Sequence, residues 1–146
     1  MVMRPLSCTL RRTDQEEKMD LQLDVVGIVV RDMRASLAFY RRLGLDIPED
    51  AEDEPHVETT TSSGLRVAWD TTEVIQQIDP TWTEPSGGHR ISLAFLCRSP
   101  EEVDATYDRL TALGHGHKEP WDAFWGQRYA IVEDPDGNHI DLFASL

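Results

Sequence analysis

The chain has 146 residues, with 14 Lys+Arg against 27 Asp+Glu, a formal net charge of −13, and 40% hydrophobic residues. The length suits one domain or two small repeated modules, with enough apolar content for a core that needs no staples. The acidity excludes nucleic-acid partners and anionic membranes, which require clustered Lys and Arg, and it favours attraction of cations.

Residues 1–19 hold four basic and three acidic residues, so the rest of the chain carries −14. Residues 1–20 lack apolar periodicity and read as a disordered N-terminal tail, with Met19 as an alternative start. No apolar core of a signal peptide and no membrane-length run is present. Two cysteines, Cys8 and Cys97, make neither a disulfide framework nor a zinc cluster, and a cytoplasmic location is expected.

Residues 24–30, DVVGIVV, form a β-branched run that predicts a strand. Asp32 then precedes MRASLAFYRRLG, where Leu37, Tyr40 and Leu43 fall at helical spacing and Gly44 supplies a stop. LDIPED reads as a short strand or a turn, within a run of seven acids and no basic residue over 46–58. HVETTTSS and GLRVAWD predict two strands. TTEVIQQI reads as a turn of helix or an edge segment, and residues 80–88 form a Pro- and Gly-rich linker. HRISLAFLCR predicts a strand. Ser99, Pro100, Glu101 and Glu102 predict a helix start that runs to Gly114. HGHKEP, WGQRYAIVED and NHIDLFA predict three more strands, the last two joined by the turn Asp134-Pro135-Asp136-Gly137-Asn138.

This order repeats. A shift of 67 positions brings Arg31 onto Arg98, Ala38 onto Ala105, Tyr40 onto Tyr107 and Leu43 onto Leu110. Towards the module ends the shift becomes 73, which brings Gly64 onto Gly137 and Val67 onto Ile140. Two modules follow, 21–79 and 89–146, separated by the linker.

The segments VGIVVRDMRASLAFYRRLGL and VEDPDGNHIDLF resemble the strand–helix start and the closing hairpin of the vicinal oxygen chelate superfamily, also called glyoxalase/bleomycin-resistance/dioxygenase. The resemblance covers about residues 23–144. It implies an α+β fold of two tandem βαβββ modules that form a cupped mixed sheet, and a homodimer.

In metal-dependent members of that superfamily, four cup positions carry His or Glu. The resemblance places them on Val25, Ala68, Ser92 and Asp141. One carboxylate is too few donors for zinc, nickel or iron, so no metal and no cofactor are expected there.

Strand alternation assigns faces. With Asp141 in the cup, His139 and Phe143 join it, while Ile140 and Leu142 face the helices. By the same parity Arg66, Ala68, Asp70, Ser92, Ala94 and Leu96 point inward, over a floor of Val25, Gly27 and Val29. Trp121, Phe124 and Trp125, close to Tyr129, together with Trp82 of the linker, supply an aromatic wall for a planar or cationic ligand.

Two functions compete. The first is metal-free sequestration of a drug-like molecule by Trp82, Ser92, Ala94, Trp121, Phe124, Trp125, Arg66, His139, Asp141 and Phe143. The second is a lyase or dioxygenase that uses a shifted metal set, or acid–base catalysis by Asp141 with His139.

Overall fold

A computed structural model of the protein describes residues 19–146. Residues 1–18 of the predicted tail, 1–20, lie outside them. Strand β1 spans Val25–Val30 and is followed by helix α1, Met33–Arg42. Asp32 caps α1: its backbone is extended and its carboxylate accepts from the Ala35 amide at 3.1 Å. Met33, Ser36, Leu37 and Tyr40 recur every three or four residues and turn one face of α1 into the core.

LDIPED is not a strand: residues 45–48 are irregular and Glu49 and Asp50 lie in a turn. Pro48 removes an amide donor, Asp50 adopts φ 58°, and Ile47 is buried in the core with Leu45 packed against it. Strands β2 (His56–Thr60) and β3 (Arg66–Thr71) follow, then a helix α2, Thr72–Ile78, capped by the Thr71 hydroxyl.

In the second half, β4 is shorter than predicted and spans only Leu93–Leu96. It is an edge strand paired to one neighbour over four residues, so the segment before it has no ladder to join. Helix α3 runs Pro100–Ala112 from the Ser99 cap, with Pro100 at its start and Glu102 paired to Arg98 at 2.6 Å. Strand β5 spans Gly116–Ala123, longer than HGHKEP, and takes Trp121 into the sheet. Strands β6 (Gln127–Glu133) and β7 (His139–Ser145) complete the half.

Two mixed sheets result, of order β1-β3-β2 and β4-β7-β6-β5. Each pairs its first strand in parallel with its last. Gly27 lies opposite Ala68 in the first sheet and Ala94 opposite Asp141 in the second. The two shifts of 67 and 73 carry the first pair onto the second. The repeat read from the sequence is therefore also a repeat of register.

The helix-facing parity holds: Val67, Trp69, Ile140 and Leu142 are buried, and Leu93, Phe95 and Cys97 pack against the same cluster. One core runs through both halves, from Leu37, Phe39 and Trp69 to Val103, Leu110 and Val132. The seam is made by the 134–138 turn, whose Gly137 adopts φ 84°. The Asp134 carboxylate, almost fully buried, accepts from the Tyr40 hydroxyl at 2.7 Å and from the Asp136 and Asn138 amides. The Arg31 amide donates to Asp136 at 3.1 Å, and the Phe39 ring meets His115 edge-on at 4.8 Å. Among the described residues no helix is long and apolar enough to cross a membrane.

Candidate functional site

The open face of the second sheet gathers most of the sequence-predicted residues. Tyr129 on β6 lies opposite Phe143 on β7 and opposite Trp121 on β5. Their rings form a chain: Trp121 to Tyr129 at 5.4 Å, Trp125 to Tyr129 at 5.3 Å, and Tyr129 stacked on Phe143 at 6.2 Å. Trp125 belongs to the short turn between β5 and β6, and its indole donates to Gln127 at 2.7 Å. Phe124 in the same turn is 97% exposed and meets the Trp125 ring edge-on at 5.0 Å. The Lys118 ammonium lies 3.9 Å from the Trp121 ring centroid, so one indole face already holds a cation.

Asp141 is the polar centre of this face. Its Oδ2 accepts from the Tyr129 hydroxyl at 2.7 Å and from the Ser92 hydroxyl at 3.4 Å. Burial first, then the Asp141 bond, push the Tyr129 phenol up to about 12. Tyr129 therefore stays protonated and remains a donor. Ala94, opposite Asp141, is exposed and adds no bulk.

The predicted partnership of His139 with Asp141 takes another form. No hydrogen bond joins them among the described residues. His139 stacks obliquely between His89, at 4.0 Å, and His117, at 4.5 Å. Burial, then the nearby charges of His89 and His117, hold its imidazole below the ordinary range. Glu133, opposite His139 across β6 and β7, approaches from below. His115 turns away from His117: it packs on Phe39 and bonds the Glu133 carbonyl at 3.0 Å.

Trp82 sits apart from the other tryptophans. It lines a cleft of about 610 Å³ between the halves, together with Val29, Glu84, His89, Glu133 and His139. Arg66 lies on the first sheet, tied to Asp24 and to Glu58. Beside it His56 bridges Asp70, at 2.6 Å, and Glu58, at 3.0 Å, and those bonds raise its affinity for a proton. Neither the histidine cluster nor this network was named from the sequence. The alternation of His56 with Glu58 was a signal for the second; for the first, only the spacing of His115, His117 and His139 hinted at it.

The model of the Glyoxalase/Bleomycin resistance protein/Dioxygenase superfamily matches residues 22–142. The chain belongs to this superfamily. No curated protein matches it. Among solved structures, it is similar to a glyoxalase/bleomycin resistance protein/dioxygenase from Nocardioides, with 24% identity, TM-score 0.70, and 96% of this chain and 93% of that one covered. A glyoxalase/bleomycin resistance protein/dioxygenase family enzyme from Burkholderia phytofirmans PsJN aligns at 22% identity and TM-score 0.74, over 86% of this chain and 100% of that one. A lactoylglutathione lyase from Agrobacterium tumefaciens aligns at 18% identity and TM-score 0.62, over 86% and 95%. At these identities the likeness is one of fold.

Val25 and Ala68 stand on the first sheet, Ser92 and Asp141 beside each other at the second. Two apolar side chains, a hydroxyl and one carboxylate do not fit a transition ion.

Proposed function

We propose that the protein is a small-molecule binding member of the superfamily that sequesters a planar or cationic drug-like ligand on the aromatic face of its second sheet. The observation that carries this reading is the contiguous ring chain Trp121–Trp125–Tyr129–Phe143 around the Asp141 carboxylate. Stacking needs flat π-faces and a cation needs a fixed counter-charge, and both are supplied within one surface. Ser92 and Tyr129 hold Asp141 in place, while the small Ala94 leaves room above it. The acidic balance of the chain draws cations towards the face.

A homodimer belongs to the same proposal. Leu96 at 72% and Phe124 at 97% exposure lie on or at the rim of this face, and a second copy of the chain supplies a cover for them. The companion reading is an enzyme of the lyase or dioxygenase type. What favours it is the cluster of imidazoles at the start of β7, two residues from Asp141.

Titration with bleomycin, followed by tryptophan fluorescence, tests the binding reading. Saturable quenching is expected, and Trp125→Ala and Asp141→Asn are expected to weaken it. Absence of any change at high micromolar bleomycin, or unaltered quenching in both variants, overturns it for this ligand class.

A further inference from the structure

The end of the second sheet nearest the linker brings together four side chains that share no other task. His117 comes from β5, Glu133 from β6, His139 from β7 and His89 from the segment after the linker. Donor atoms of His89, Glu133 and His139 all lie within 4.8 Å of one another. Glu133 Oε2 is 4.0 Å from His139 Nε2, and Glu133 Oε1 is 3.6 Å from His117 Nδ1. Both separations exceed hydrogen-bond length, so the carboxylate is aimed at the imidazoles without bonding them.

We propose that His89, His117, Glu133 and His139 form a binding site for a divalent first-row transition ion of the zinc class. Ligands at about 2.0–2.1 Å around a tetrahedral ion stand roughly 3.4 Å apart, so the donors of His89, Glu133 and His139 close on one ion by small side-chain rotations, and His117, 3.6 Å from Glu133, is placed to complete the set. Three imidazoles with one carboxylate suit zinc and its neighbours, whereas calcium and magnesium require oxygen donors. Glu133 and His139 face each other across the β6–β7 ladder, which holds their backbone positions fixed without an ion, and His117 stands at a bulge in the neighbouring β5, between Gly116 and Lys118. The fourth, His89, is exposed and follows Gly87-Gly88, so it is the ligand with freedom to swing in.

The site is separate from the cup positions Val25, Ala68, Ser92 and Asp141. It opens instead on the 610 Å³ cleft that Trp82 and Glu84 also line. An ion there faces the cleft, where a ligand atom from a bound small molecule has access to it. The proposal goes beyond the aromatic-face reading and does not rest on it, since the ion binds in the absence of any organic ligand.

The test uses the full chain, stripped by a chelator and then titrated with Zn²⁺ against a chromophoric competitor. One ion per chain is expected. Glu133→Gln and His139→Ala are each expected to lower affinity by more than the roughly 10–100-fold that loss of an outer-shell partner costs. His89→Ala alters an exposed side chain, so its loss of affinity is not a loss of fold. His56→Ala, in the other histidine–carboxylate group, is expected to change nothing. A Co²⁺ complex should show intense visible bands that vanish in His139→Ala. Failure of the wild-type chain to bind Zn²⁺, or equal affinity in wild type, His89→Ala and His139→Ala, overturns the proposal. Neither result bears on bleomycin quenching, which is read without metal.

Discussion

Replacing Tyr40 by Phe removes one oxygen atom and tests how the two halves are held together. Asp134 is 3% exposed and has no salt-bridge partner among the described residues. Its charge is held by four hydrogen bonds: the Tyr40 hydroxyl at 2.7 Å, the Asp136 amide at 2.9 Å, and the amide and side-chain nitrogen of Asn138, both at 2.8 Å. Burial, then Asp134, push the Tyr40 phenol far upward, so it is a permanent donor. The benzene ring stays in Tyr40→Phe, which preserves packing on Phe39 at 5.1 Å and Trp69 at 5.5 Å. What is lost is one hydrogen bond to a buried charge, worth about 1.5–3 kcal/mol. With three donors left, we place the loss near 2 kcal/mol, or about 5–10 °C in Tm. Urea unfolding followed by tryptophan fluorescence, to which the buried Trp69 contributes, reads it. The repeat supplies the control, since Tyr107 occupies the matching place on α3 but points its hydroxyl at the Gly116 region. Tyr107→Phe should change stability by no more than about 0.5 kcal/mol. Equal effects for the two variants, or no effect of Tyr40→Phe, would refute the reasoning.

Three further outcomes are expected. Gly116→Ala places a Cβ 2.5 Å from Thr111 Oγ1, an overlap that should cost about 1–3 kcal/mol and be relieved in part in the double variant with Thr111→Ala, which leaves the Tyr107 hydroxyl at 3.0 Å and the residue-111 Cβ at 3.1 Å. The His56 imidazole, held by Asp70 and then Glu58, should titrate above its ordinary value in an NMR pH series, and Asp70→Asn should bring it down. The stabilisation it brings is complete below about pH 6.5 and is lost as pH rises through the folded-state value; a variant with greater stability loss at high pH than at low pH would contradict this. Burial pushes the Asp136 carboxyl up, and its Oδ2 is buried without a partner. Asp136→Asn keeps an oxygen for the Arg31 amide, so it should stabilise by up to about 1 kcal/mol at neutral pH, with the gain vanishing as acid protonates the wild-type carboxyl. A lower Tm at pH 7 would count against it.

The parts legible in the sequence were those governed by short periods. The alternation of Ile140, Asp141 and Leu142 separated core from open face, and Ser99-Pro100-Glu101-Glu102 marked the start of α3. The repeat was legible because its two shifts conserve cross-strand register. The histidine cluster was not, because His117 and His139 converge through the pairing of β5, β6 and β7 while His89 arrives from the segment that leads into β4, and no local pattern reports either. His139 and Asp141 share a face, yet each leans to a different neighbour, and parity fixes the face but not the lean. The length of β4 was also hidden: apolar residues continue to Ile91, but the partner strand does not.

The Tyr40–Asp134 bond joins residues 94 positions apart. Closing so long a loop costs chain entropy that forming a helix does not, which predicts that the bond forms after the helices. Until then the second half carries a carboxylate prepared for burial but short of a donor, and the first half carries a phenol with no acceptor. Each half completes the other, which predicts a single unfolding transition rather than two, even though the chain is built from a duplicated unit.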